Sequence, residues 1–229
     1  MPILDTSAFI WFLICWIGYT RFADLRARKR LTLMSVMHHY RMQWMHEMLQ
    51  REVRIVDSNI VMILARSATF LASTTIFILA GLLAVLGTMD TAMEVVGELR
   101  YAVQSTREVW ELKLFALLLV FIYAFFKFTW SMRHFNYLSI MIGAAPSSEA
   151  LPDWSDNFAE RAAKVSSKAT NTFNRGLRAY YFGLAFLGWF LHPLVFIVAT
   201  TLVVGVLYRR EFKSGMLREL GNPADFSRE

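Results

Sequence analysis

Residues 179–208 read AYYFGLAFLGWFLHPLVFIVATTLVVGVLY, thirty consecutive positions without a lysine, arginine, aspartate or glutamate. As one straight helix this stretch would be about 45 Å long at ~1.5 Å per residue. The hydrocarbon core of a bilayer is only about 30 Å thick. The stretch is therefore too long for one plain crossing and short for two. His192 and Pro193 lie near its middle, and proline favours a break because it lacks an N–H and clashes with the preceding turn.

Three further apolar runs precede this one, and the predicted membrane spans are residues 3–23, 67–87, 112–132 and 178–208. The chain is 56% hydrophobic and 18% charged, whereas a soluble domain has about 25% charged residues. These features predict an all-α fold: a polytopic integral membrane helical bundle, with residues 1–229 forming a single transmembrane domain.

Basic residues are distributed unevenly over the connections. Nine lysines and arginines lie within residues 21–66, two within residues 88–111 and six within residues 133–178. The positive-inside rule therefore places the first and third connections in the cytoplasm, and the second connection and the N-terminus outside.

The tail after residue 208 leaves two topologies open. It carries five basic residues, which would violate the positive-inside rule if the fourth segment crossed once. A hairpin broken at His192-Pro193 would return the tail to the cytoplasm. Each arm would then have about 15 residues, or roughly 22 Å, which is short for a crossing.

The first connection contains a predicted cytoplasmic amphipathic helix over residues 35–60. Apolar side chains there recur mostly at helical spacing among charged ones, which is typical of a helix that lies at the headgroups or packs under a bundle. Ser35 is a candidate N-cap. Arg54 and Asp57 are three positions apart and could form an ion pair along the helix.

The order of these segments resembles a family of bacterial and plant membrane proteins catalogued as domain of unknown function five-nine-nine. The matching pieces are WFLICWIGYTRFAD at 11–24, REVRIVDSNI at 51–60, STTIFILAGLLA at 73–84, FKFTWSMRHFNYLSIMIGA at 126–144 and FNRGLRAYYFGLAFLGWFLHP at 173–193. The resemblance implies an integral membrane protein and supplies no catalytic residues. We expect a bacterial inner (plasma) membrane protein with its N-terminus outside and its C-terminus in the cytoplasm.

Four residues within the spans are candidates for an intramembrane polar or solute path: Lys127, His192, Thr74 and Thr75. A lysine within a span usually faces a bundle interior or a water-filled path, although Lys127 could instead snorkel to the interface. His192 could bind a ligand at the broken helix or simply cap a turn. The threonines could line a path or pack between helices.

A second set, at the cytoplasmic borders, is a candidate face for anionic lipid or a partner protein: Arg51, Arg54, Asp57, Arg66, Asn136 and Arg175. The alternative is an ordinary basic juxtamembrane surface. Asp24 and Asp57 are surrounded by arginines, so we expect both carboxylates to be ion-paired rather than to act as bases.

No nucleophile, nucleotide-binding or metal motif is present in the sequence, so we predict no catalytic, cofactor or metal residues and regard enzyme activity as the less favoured class. Nucleic acid is not an expected partner, because the basic residues flank apolar runs. We expect a channel or transporter for a small solute or ion, formed as a homo-oligomer in the lipid bilayer. The alternative is an accessory or scaffold subunit that binds other membrane proteins or anionic lipid through the basic cytoplasmic face.

Overall fold

The computed structural model of the chain describes residues 3–26, 32–99, 103, 105–149 and 151–220, and this part of the chain contains helices and no strand. The helices are α1 Ile3–Arg26, α2 Leu33–Leu49, α3 Ile55–Gly87, α4 Met89–Gly97, α5 Arg107–Gly143, α6 Ser155–Phe186, α7 Gly188–Leu191, α8 Pro193–Phe212 and α9 Gly215–Leu220. Helices α1, α3, α5 and the segment Pro193–Leu217 are long and apolar enough to cross a membrane. The chain is an all-α integral membrane protein, as predicted.

The chain forms two compact units. Unit 1 comprises Met1–Asp24, Ala72–Phe126 and Arg175–Arg209. Unit 2 comprises Leu25–Leu71, Lys127–Asn174 and Arg210–Glu229.

Aromatic side chains fill the interior of unit 1. Phe12 of α1 lies with its ring centroid 5.3 Å from that of Phe186 and 5.2 Å from that of Phe196. Trp189 stacks on Phe196 at 5.1 Å. Each of these four side chains is at most 1% exposed. Rings of this size bury a large apolar area and hold neighbouring helices in fixed positions.

Helix α6 runs antiparallel to α1 within unit 1. Near the C-terminal end of α1, Asp24 binds Arg175, close to the point where α6 enters the unit. Further toward the N-terminus of α1, Phe12 contacts Phe186 in the last turn of α6.

Helix α8 runs the opposite way, parallel to α1. Phe12 contacts Phe196 near the start of α8, and Phe22 stacks on Tyr208 near its end. Since α6 and α8 lie on the same helix in opposite directions, the chain reverses between them. The hairpin alternative for the fourth segment is therefore correct, and the single kinked crossing is wrong.

The sequence of the turn explains the reversal. His192 is extended, with φ −158° and ψ 137°, as expected of a residue that precedes proline. Pro193 is the first residue of α8, where its missing N–H costs nothing. A Cβ on Gly188 would lie 3.1 Å from Val195 Cγ1 and 3.4 Å from the backbone nitrogen of Phe196. Glycine therefore permits α7 to approach α8 closely.

In unit 2, α2 packs on α5 and α6 through a buried apolar cluster. Met45, Met48 and Leu49 of α2 contact a core that includes Phe135 and Leu138 of α5. This arrangement favours packing within the protein over a helix that lies free at the headgroups.

The boundaries of α2 differ from the prediction in two ways. The N-cap is Thr32, and Ser35 is the third helical residue that completes a capping box with it. The helix predicted over 35–60 ends at Leu49, and α3 begins at Ile55. The boundaries predicted for the second and third spans also shift: α3 starts well before residue 67, and α5 extends beyond both ends of 112–132.

Candidate functional site

A buried ion pair lies beside the α7–α8 turn in unit 1. Lys113 Nζ of α5 is 3.2 Å from Asp5 Oδ1 of α1. Lys113 also donates a 3.0 Å hydrogen bond to the backbone oxygen of Trp189 in α7. Asp5 is 1% exposed and Lys113 is 2% exposed. The two charges therefore join three helices out of contact with solvent.

Trp189 completes this cluster. Its indole Nε1 donates a 2.7 Å hydrogen bond to Asp5 Oδ1, and its ring centroid lies 5.1 Å from Lys113 Nζ, within the range of a cation–π contact. Burying an ion pair is costly unless hydrogen bonds satisfy both partners. Here the indole and the Trp189 carbonyl supply those bonds.

Asp5 and Lys113 lie at the edges of their apolar runs, so neither they nor Trp189 were predicted as site residues. A signal was nevertheless present. The topology from charge counting puts residue 5, residue 113 and the broken segment near residue 189 on the same side of the membrane, where an acid and a base could meet the break.

A second charged cluster surrounds Asp24, near the C-terminal end of α1 and within unit 1. Arg175 donates to Asp24 Oδ2 from Nη2 at 2.7 Å and from Nε at 3.0 Å, and Arg178 donates to Oδ1 at 3.1 Å. Arg178 is 4% exposed and lies over the ring of Tyr19. Asp24 is therefore ion-paired, as predicted. From Asp5 to Asp24, α1 rises by about 28 Å, close to the thickness of the hydrocarbon core.

Asp57 is a buried carboxylate of unit 2. Its Oδ1 accepts hydrogen bonds from Trp44 Nε1 at 2.7 Å and from Arg51 Nη1 at 2.6 Å. Its Oδ2 is buried without a hydrogen-bond partner among the described residues. Asp57 is 0% exposed, whereas the Arg51 side chain is 43% exposed. Asp57 is thus ion-paired, as expected, and it ties the start of α3 to α2.

Arg54 binds backbone carbonyls instead of the predicted partner Asp57. It donates to the oxygen of Met48 at 3.2 Å, to that of Ala145 at 2.9 Å and to that of Pro146. Met48 lies in the last turn of α2, and Ala145 and Pro146 follow the end of α5. A guanidinium at helix C-termini satisfies orphan carbonyls and complements the helix dipole. Arg54 therefore has a structural role within unit 2.

The four residues predicted for a solute path lie at separate positions in the fold. The hydroxyl of Thr75 lies 2.7 Å from that of Tyr180, linking α3 to α6, and Thr74 beside it is half-buried. His192 Nδ1 accepts a 3.0 Å hydrogen bond from the backbone N–H of Leu194, so His192 caps α8. Lys127 is half-buried on α5 and belongs to unit 2, whereas the other three belong to unit 1. A role in a solute path stays a prediction for all four.

The six residues predicted for a lipid or partner face are likewise divided. Arg51, Arg54 and Asp57 form the contacts described above in unit 2, and Arg175 binds Asp24 in unit 1. Arg66 and Asn136 are exposed. In the ranges that the structure describes, no group of three His, Cys, Asp or Glu side chains could hold a metal ion.

The fold and these charged clusters define an α-helical integral membrane protein with ionisable residues buried at a broken helix. The chain belongs to the family described as "Protein of unknown function, DUF599", whose family model matches residues 7–216. No curated protein and no solved structure matches the sequence.

Proposed function

We propose that this protein transports a small solute or ion, and that the Asp5–Lys113 pair at the α7–α8 turn is its working site. The observation that carries the proposal is that Lys113 Nζ binds both Asp5 and the Trp189 carbonyl of the turn. Ionisable residues buried in a membrane bundle are costly and commonly mark ion or substrate pathways. Broken helices in transporters place backbone groups at the same kind of site.

The contacts support a simple gating mechanism. The pair holds α7 against α1 and α5. An anion that binds Lys113, or a cation that binds Asp5, competes with the partner carboxylate or ammonium. Loss of the pair weakens the Lys113 bond to the Trp189 oxygen, and the turn can then move about the extended residue His192. A conformational change driven in this way requires the transported ion to bind the open state more tightly than the closed state.

We further infer a homo-oligomer. Aromatic side chains fill the interior of unit 1. Transport through this unit therefore requires the α7–α8 turn to move while the surrounding helices stay in place. Helix α3 is the least covered of the candidate spans: 11% of its apolar window is buried, compared with 44% for α5. A second copy of the chain packed on α3 would hold the helices in place and leave the α7–α8 turn free to move.

For localisation we propose the bacterial inner membrane, with the N-terminus outside and the C-terminus in the cytoplasm. The reversal between α6 and α8 supports this orientation. It brings the basic tail to the same side as the two arginine-rich connections, so that every connection then follows the positive-inside rule.

Flux through proteoliposomes tests the transport proposal. Vesicles containing the purified protein are loaded in turn with Na⁺, K⁺, chloride and phosphate, and release is compared for wild type, Asp5→Asn, Lys113→Met and the double variant. We expect protein-dependent flux of at least one ion and a loss of about tenfold or more in the neutralised variants, equivalent to ~1.4 kcal/mol or more.

Glu111→Gln is the matched control, since Glu111 pairs with Arg107 at 3.1 Å on the same helix and its side chain is 41% exposed. It should retain wild-type flux. A double variant that folds and transports at the wild-type rate would show that the pair is only a structural link, and the proposal would be wrong.

A further inference from the structure

Helices α2 and α6 pack antiparallel in unit 2 with a defined register. His38 Nδ1 of α2 is 2.8 Å from Ser167 Oγ of α6. Further along, His46 Nε2 of α2 is 3.9 Å from Asp156 Oδ1 of α6. Arg41 follows His38 by three residues, and Lys164 precedes Ser167 by three residues. Because the two helices are antiparallel, Arg41 and Lys164 lie at about the same level. Residues three apart share a helix face, so both cations lie beside the same contact.

Arg41 has no counter-charge in this packing. It is half-buried and makes no hydrogen bond or ion pair with another residue in the described part of the chain. Burial lowers the pKa of its guanidinium. A desolvated cation without a partner is unfavourable, and proteins usually pair such a group or bind an anion to it.

Glu160, the acid that acts on His38, does not resolve the imbalance. Glu160 accepts a 2.7 Å bond from Lys164, its neighbour one turn along α6. Burial, and then the electrostatic influence of Arg41, Lys164 and His39, lower the pKa of His38, against a smaller opposing effect of Glu160. The local charge around the His38–Ser167 contact is therefore positive.

We propose that His38, Arg41, Lys164 and Ser167 form a binding site for a phosphate group. A guanidinium presents paired N–H donors that match two phosphate oxygens, a lysine adds a point charge, and a hydroxyl adds a further donor. The phosphate group could belong to a lipid headgroup or to a soluble ion. The position of the site favours the lipid source, since α2 ends at Leu49 and the membrane span α3 begins at Ile55. This site is independent of the Asp5–Lys113 pair and of transport.

Histidine NMR on the purified full-length chain in detergent tests the site. A bound anion offsets the neighbouring cations and raises the pKa of His38, which His38→Gln identifies among the five histidines of the chain. The probes are inorganic phosphate and dihexanoylphosphatidic acid, with dihexanoylphosphatidylcholine as the neutral-headgroup control. We expect at least one phosphate probe to raise the pKa of His38, and Arg41→Gln to weaken that probe's binding by roughly fivefold to tenfold.

Arg133→Gln is the matched control, because Arg133 of α5 is exposed and forms no ion pair with a described residue. It should leave binding unchanged. A response to the phosphatidic acid alone assigns the site to a lipid headgroup, and a response to inorganic phosphate assigns it to a soluble anion as well. No response to either probe, or an equal loss in Arg133→Gln, would overturn the proposal. If Arg41→Gln does not fold, Lys164→Gln gives the same test from α6.

Discussion

Lys113 Nζ lies 3.2 Å from Asp5 Oδ1, although the two residues come from separate apolar runs and both side chains are buried. Lys113 also donates to the Trp189 carbonyl, so the pair fixes the turn between α6 and α8. The same geometry explains the reversal of the fourth segment and motivates the transport proposal.

Neutralising one partner of this pair should cost more stability than neutralising both. Asp5→Asn or Lys113→Met leaves one charge buried without its partner, which typically costs about 3–5 kcal/mol. The double variant removes both charges, and the amide oxygen of its new asparagine can still accept the Trp189 indole bond. Thermal unfolding in detergent, followed by tryptophan fluorescence, should therefore show a midpoint for the double variant above that of either single variant. Additive losses would contradict a directly coupled pair.

His192 should act through its cap. His192→Ala removes the acceptor for the Leu194 N–H at the start of α8 and should cost about 1 kcal/mol. His192→Asn restores a side-chain acceptor and should recover most of that stability. The unfolding midpoint of each variant measures this effect. If His192→Asn is as stable as wild type but loses ion flux, His192 has a role in transport beyond the cap.

Arg51 should matter at least as much for stability as Arg54. Arg54→Gln leaves carbonyls at the ends of α2 and α5 without their charged donor, at a cost of about 2–3 kcal/mol. The Arg51 side chain is 43% exposed, but that of its partner Asp57 is 0% exposed. Arg51→Gln therefore leaves a buried carboxylate without its counter-charge and should cost about 3–5 kcal/mol. Unfolding midpoints in detergent compare the two variants. A loss in Arg51→Gln well below that in Arg54→Gln would show that the buried Asp57 does not depend on the charge of Arg51.

Acidification should weaken unit 2 through His38. Its pKa in the folded protein is lowered, by burial and then by Arg41, Lys164 and His39, with Glu160 opposing. The unfolded chain has the ordinary histidine value near 6.5 and so binds a proton more readily. Stability is therefore full above about pH 6.5 and falls as the pH drops through the folded-state pKa.

Unfolding midpoints at pH 7.5 and pH 5, in phosphate-free buffer, check this effect. The drop should shrink in His38→Gln, which cannot titrate, and in Arg41→Gln, which removes a neighbouring positive charge. A drop of unchanged size in His38→Gln would assign the pH dependence to another group.

The apolar runs, their approximate positions and the break at His192-Pro193 were predictable, because uninterrupted hydrophobicity and proline act locally. Only the basic tail indicated that the chain reverses after the break. The contacts of Phe12 with both Phe186 and Phe196 were needed to establish the reversal. The helix boundary at Leu49 was not predictable, since it depends on Arg54 reaching carbonyls that follow α5. Partners for Lys113 and Arg54 are set by packing between distant segments, which the residue spacing in one sequence does not encode.

Single-cysteine labelling in membrane vesicles tests the reversal at Gly188–Pro193 most directly. In a Cys15→Ala background, Glu98→Cys reports the connection before α5, Lys213→Cys reports the segment after α8, and Glu47→Cys in α2 is the reference for the first connection. A membrane-impermeant maleimide should label Glu98→Cys from one side of the membrane only, and Lys213→Cys and Glu47→Cys from the other side only. Labelling of Lys213→Cys and Glu98→Cys from the same side would contradict the reversal.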